Sequence, residues 1–208
     1  MVHFRNDKIL ISSVAGAGAA ATTIVLFLLP LLSSGDTGIT YRGYVSENNI
    51  YNNSLYKLSI AYPPGWKVLE DVGIKNSEIG SAFGTDRLSF VVVFAGPVQD
   101  NFATNINIET NYMQGMSLEE FAQNTEKSLA STFSKNNFTV LDKGHTEING
   151  RDAYFITATL EMEQPIKNEL VILERDNYAY IITYNAMATT FDDHIQEFED
   201  SLSTFEFL

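Results

Sequence analysis

The chain has 208 residues, a formal net charge of −13 and 45% hydrophobic residues. This length suits one domain of ordinary size with additional segments, and the hydrophobic fraction argues against wholesale disorder. The sequence contains no cysteine, which excludes disulfides, thiolate metal sites and a cysteine nucleophile. The acidic charge argues against binding to nucleic acids and to anionic lipid surfaces. It favours solubility, and weak attraction of divalent cations is the alternative interpretation.

The N-terminal part predicts a membrane anchor. Residues 9–32 are uncharged and mostly apolar, and about 20 such residues in a helix cross the core of a bilayer. Arg5 and Lys8 precede this run, while the next cation, Arg42, comes ten residues after it. The positive flank is expected to stay in the cytoplasm, so the acidic domain is exported. Secretion after signal cleavage near Gly35 is the alternative.

A flexible linker is expected at residues 33–54, where Gly, Ser and Asn dominate. The predicted organisation is a cytoplasmic stub and anchor at 1–32, this linker, and one folded domain at 55–208. Asn52 and Asn137 begin Asn-x-Ser/Thr sequons, which have meaning only if the domain is exported.

The domain opens with "YKLSIAYPPGW", an alternating strand that stops at two prolines. Trp66, the sole tryptophan, is expected to turn back over the end of the sheet as a core plug. The run at 88–95 is apolar on both faces and predicts a central strand. Ser117 and Glu120 then form a capping box, which predicts the start of an amphipathic helix.

Two tight hairpins and a closing helix complete the domain. Asn149-Gly150 and Asp176-Asn177 are the expected turns, and an apolar stripe from Phe191 to Phe205 predicts the last helix. Consecutive hairpins imply an antiparallel sheet, which two amphipathic helices must cover. The predicted fold is α+β: an α/β/α sandwich with a central antiparallel sheet flanked by helices, preceded by one transmembrane helix. A half-open sheet with both helices on one face is the alternative.

An ordered set of short motifs resembles the PsbP-like domain. The motifs are "YKLSIAYPPGW", "SLEEFA", "INGRDAY", "NYAYIITYNA" and "FEDSLSTFEF", and they cover residues 54–208. The resemblance implies an α/β/α sandwich around an antiparallel sheet, in agreement with the residue pattern. An N-terminal span on an acidic domain is similar to the secreted or lipid-anchored prokaryotic members, and the resemblance implies no particular reaction.

Catalytic, cofactor and metal residues are not predicted. His145 and His194 are far apart in the sequence, and zinc sites usually need three or four ligands. The sequence has no Gly-x-Ser-x-Gly elbow and no phosphate-binding glycine loop after a strand. An exported hydrolase or metal-dependent enzyme remains the alternative. A cleft that holds either histidine beside two carboxylates would favour it.

Binding is therefore the predicted function. Residues 96–116 are the least regular part of the domain, and loops on a rigid sheet often carry binding sites. We predict a partner surface made of Phe102, Tyr112, Met113 and Met116. The protein is expected to be a membrane-tethered extracytoplasmic accessory module without an evident catalytic centre, whose partner is an unidentified envelope protein.

Overall fold

The fold is described here from a computed structural model over residues 39–44, 48–74, 90–100, 102–162 and 164–208. The predicted anchor at 9–32 lies outside these residues. Within them, no helix is both long enough and apolar enough to cross a membrane.

The described residues form eleven strands and two α-helices. The helices are α1 (Leu118–Thr132) and α2 (Phe191–Leu202). The strands are β1 (Ile39–Tyr44), β2 (Ile50–Asn53), β3 (Leu58–Ala61), β4 (Lys67–Ile74), β5 (Phe90–Gln99), β6 (Phe102–Tyr112), β7 (Thr139–Ile148), β8 (Arg151–Leu160), β9 (Ile166–Arg175), β10 (Tyr178–Met187) and β11 (Glu206–Phe207). Eight strands make one sheet in the order β1-β4-β5-β6-β10-β9-β8-β7, and three make a small sheet in the order β11-β3-β2.

The two helices cover opposite faces of the large sheet. Successive side chains of a strand point to opposite faces, and on β9 Ile172 packs in the same cluster as Leu129 of α1. Its neighbour Val171 belongs instead to the cluster that contains Phe198 of α2 and Leu58 of the small sheet. The predicted antiparallel sheet with two helices is thereby confirmed, and its layers are α1, the large sheet, and α2 together with the small sheet.

Helix α1 begins where the sequence places it. The Ser117 hydroxyl accepts a hydrogen bond from the Glu120 amide at 3.3 Å, and the Glu120 carboxylate accepts one from the Ser117 amide at 2.9 Å. These bonds from Ser117, the backbone one above all, lower the pKa of Glu120. The capping box therefore satisfies two amides that a bare helix start would leave without partners.

The linker predicted at 33–54 is wrong for much of its length. Strands β1 and β2 fall inside it, and β1 pairs with β4 over residues 39–44. Tyr51 on β2 is only 2% exposed. Local composition suggested a loop because Gly and Asn surround these strands, but pairing with distant strands decides the structure. Only residues 33–38 then separate the predicted anchor from β1.

Candidate functional site

One end of the large sheet brings the chain entry and the hairpin turns together. Leu69 of β4 and Thr183 of β10 lie in one row, connected through paired residues of β5 and β6. β4 and β10 run in opposite directions. Five residues from this row toward the same end of the sheet, β4 therefore reaches Ile74 and β10 reaches Tyr178. Ile39, the first residue of β1, pairs with Ile74. β1 therefore begins at the end of the sheet where β10 begins.

We call this the hairpin end, because the predicted turns Asn149-Gly150 and Asp176-Asn177 both lie there. All four turn residues have positive φ, between 51° and 75°, as a type I′ turn requires. Both hairpins are thus confirmed. The carbonyl of Asn177 accepts a hydrogen bond from the Met113 amide at 2.8 Å, so the turn also fixes the loop that follows β6.

Exposed aromatic and apolar side chains gather at the hairpin end. Tyr112 and Tyr178 are 56% and 47% exposed, and their ring centroids are 5.4 Å apart. Leu55 and Tyr56, on the turn between β2 and β3, are 80% and 36% exposed. The hydroxyl of Tyr180, whose pKa is raised by burial, donates to the Tyr56 carbonyl at 2.9 Å and joins this turn to β10. We call Leu55, Tyr56, Tyr112 and Tyr178 the end patch.

Two arginines lie beside the end patch and are held against the protein. The guanidinium groups of Arg151 and Arg175 lie 4.8 and 5.2 Å from the centroid of the Phe207 ring. Arg175 also donates to the Leu208 carbonyl at 2.9 Å and approaches Asp176 at 3.5 Å. Stacking on an aromatic face suits the planar guanidinium, so positive charge is fixed at this end of an acidic chain.

The predicted partner surface is wrong for two of its four residues. Phe102 is 4% exposed and packs with Ile166 and Met187, while Met113 is 1% exposed and packs under α1. The segment looked irregular, but most of it is strand β6, which lies inside the large sheet and is buried on both faces from Phe102 to Glu109. Tyr112 is exposed and Met116 is half-buried. A partner contact at these two residues stays a prediction.

The sequence also held a signal for Tyr178 that the prediction missed. Tyr178 directly follows the Asp176-Asn177 turn, so the hairpin register alone places it at the tip of the sheet. Its proximity to Tyr112 depends on the pairing of β6 with β10, which are far apart in the sequence. That pairing is not readable from local pattern.

Trp66 is buried as predicted. It is 4% exposed and belongs to the cluster on the α2 side of the sheet. Gly65 before it has φ +82°, a conformation that favours glycine. A Cβ placed on Gly96 would lie 2.5 Å from the Trp66 ring, so β5 needs a glycine where the indole crosses it. The ring of His194 meets Trp66 edge-on at 6.3 Å.

The two histidines lie on different elements and contact different carboxylates. His145, on the edge strand β7, is 52% exposed, with its two ring nitrogens 3.3 Å from Asp152 and 3.9 Å from Glu119. Both of these carboxylates are more than half exposed. His194 bonds to the single carboxylate of Glu197 at 2.8 Å. Over the described ranges, no group of three or more His, Asp or Glu side chains is arranged to hold a metal ion.

A buried polar cluster lies on the α1 face of the sheet. Its members are at most 2% exposed and are Asn105, Asn107, Asn168, Thr183 and Asn185. Asn185 and Asn107 donate to the Asn105 carbonyl oxygen at 3.0 and 3.3 Å. The Asn168 amide and the Thr183 hydroxyl have no hydrogen-bond partner within the described part of the chain. Such burial costs about 1–3 kcal/mol for each group.

We expect Thr183→Val to raise the free energy of unfolding by about 1 kcal/mol, because valine keeps the shape and removes the buried hydroxyl. Thr157→Val is the matched control, since the Thr157 hydroxyl donates to Glu169 at 3.3 Å. That variant is expected to lose about 1 kcal/mol. Urea unfolding of the full chain measures both values. A loss of stability in Thr183→Val would show that the hydroxyl is satisfied in the folded protein.

Comparison with solved structures shows that the domain has a PsbP-like fold. Cyanobacterial PsbP (CyanoP) from Synechocystis sp. PCC 6803 superimposes with a TM-score of 0.54 at 10% identity, covering 95% of this chain and 99% of that one. A protein of unknown function from Pseudomonas aeruginosa gives 0.49 at 13% identity, covering 74% and 93%. LpqN, involved in cell envelope biogenesis of Mycobacterium tuberculosis, gives 0.47 at 8% identity, covering 84% and 92%. No family model and no curated protein sequence matches the chain.

Proposed function

We propose that the protein is an exported, single-pass membrane protein whose PsbP-like domain acts by binding another envelope component. The observation that carries the proposal is the short tether: the apolar run ends at residue 32 and β1 begins at Ile39. The chain from residue 32 to Ile39 spans at most about 25 Å. The domain is thereby confined to the membrane surface. Confinement raises its effective concentration toward neighbours there, so a modest affinity suffices.

The anchor is tested on intact cells. Protease added outside is expected to degrade the domain, and alkaline carbonate is expected to leave the full-length chain in the membrane pellet. The control carries Ala21→Arg and Ile24→Arg, because each arginine near the centre of a span costs about 2.5–3.5 kcal/mol on insertion. This double variant is expected in the soluble fraction after carbonate extraction, not in the membrane pellet. A soluble, shortened chain that begins near residue 36 would show signal cleavage and secretion instead.

The binding role is tested by cross-linking in intact membranes followed by purification of the chain. We expect a reproducible partner that is absent when Tyr112→Ala and Met116→Ala are combined. The control pair is Val98→Ala and Leu141→Ala, which are 62% and 55% exposed and lie away from the hairpin end. An anchored chain that yields no partner at all would contradict the accessory role.

An exported hydrolase or metal-dependent enzyme is the second candidate. The observation in its favour is His145, whose two ring nitrogens approach two carboxylates. Turnover of an ester, glycan or peptide by the full chain, lost in His145→Gln or His194→Gln, would establish this alternative and overturn the binding proposal.

A further inference from the structure

We infer that the hairpin end of the domain rests on the membrane, with the end patch in contact with the interface of the lipid bilayer. The inference rests on the proposed anchor and goes beyond it, because it specifies which side of the domain faces lipid.

The position of Ile39 restricts the orientation of the domain. Ile39 lies at the hairpin end of β1, and the chain from residue 32 to Ile39 reaches at most about 25 Å. The strands of the large sheet are mostly ten residues long, as in β7 to β10, which corresponds to about 33 Å. If the opposite end touched the membrane, Ile39 would stand beyond the reach of its tether. The hairpin end is therefore the end near the bilayer.

The end patch lies at the same height as the tether. β10 is the fourth strand from β1 in the sheet, and neighbouring strands are about 4.8 Å apart. Tyr178 therefore lies about 19 Å from β1, and this distance runs mostly parallel to the membrane. Tyr112 lies one strand closer to the tether. A domain with its strands upright on the membrane thus brings both tyrosines to the surface together.

The chemistry of the end patch suits a lipid interface. Tyrosine has an apolar ring and a polar hydroxyl, and it is enriched where hydrocarbon meets headgroups. Leu55 is 80% exposed at the tip of a turn, where its side chain is free to enter the headgroup region. Lys57, Arg151 and Arg175 lie at this end, and the carboxylates of Asp152, Glu174 and Asp176 lie there as well. Charge therefore provides no net attraction to lipid phosphates, and the contact depends on the aromatic and apolar side chains.

The absence of cysteine in the sequence permits a direct test. A fluorophore is attached to Ser54→Cys, beside Leu55, or to Ser134→Cys, after α1 at the opposite end; both serines are exposed. The full chain is reconstituted in phosphatidylcholine vesicles that contain lipids with nitroxide-labelled headgroups. We expect the label at residue 54 to be quenched several-fold more than the label at 134, with little dependence on salt.

Two double variants assign the contact to the end patch. Tyr112→Ser with Tyr178→Ser is expected to reduce the difference in quenching, because the tether still keeps the hairpin end near the bilayer but the end patch no longer enters the interface. Val98→Ser with Leu141→Ser is expected to leave the difference unchanged. Equal quenching of both labels in chains that float with the vesicles overturns the inference and leaves the anchor intact. Chains that do not float overturn the anchor and the inference together. If the cysteine at residue 54 is shielded from a water-soluble thiol reagent in native membranes but not in the lipid vesicles, this end contacts a protein partner instead of lipid.

Discussion

Trp66→Ala is expected to lower the free energy of unfolding by about 3–5 kcal/mol, the usual cost of emptying a well-packed aromatic site. The indole is almost fully buried between the end of β3 and the start of β4. It packs with apolar residues of the large sheet and of α2, so its loss leaves a cavity in this cluster. The change is measured by urea unfolding of the full chain in detergent, with circular dichroism as the signal.

Gly96 provides the control for this prediction. Gly96→Ala places a methyl group where the Trp66 ring lies, 2.5 Å from its nearest atom, and is expected to destabilise the parent chain. In the Trp66→Ala background the methyl group has space, so the same change is expected to cost less. The two effects should therefore be non-additive by about 0.5–3 kcal/mol. Additive effects, or a Trp66→Ala chain that unfolds like the parent, would contradict the packing described.

Features that depend on neighbouring residues were predictable from the sequence. The Ser117 capping box and the two I′ hairpins need only a few adjacent residues, and the structure confirms them. Trp66 was predictable because prolines end a strand and glycine permits the turn that follows. The antiparallel sheet followed from the hairpins, since each tight turn fixes the direction of the next strand.

Features that depend on distant pairing were not predictable. β1 looked like linker because its partner, β4, is more than twenty residues away. Phe102 and Met113 looked exposed because polar residues surround them in the sequence, while their apolar neighbours come from β9, β10 and α1. In each case, tertiary burial opposes the local composition.

The contrast between Tyr112 and Met113 tests this correction. Met113→Ala is expected to lower the free energy of unfolding by about 2–5 kcal/mol, because the side chain is 1% exposed and fills the layer under α1. Tyr112→Ala is expected to cost less than about 1 kcal/mol, because the side chain is mostly exposed and its ring packs against the similarly accessible ring of Tyr178. Phe102→Ala serves as a second buried control, at about 3–5 kcal/mol. Urea unfolding of the full chain ranks the three. Similar small losses for all of them would place Met113 and Phe102 back on the surface, as part of the contact region first predicted from the sequence.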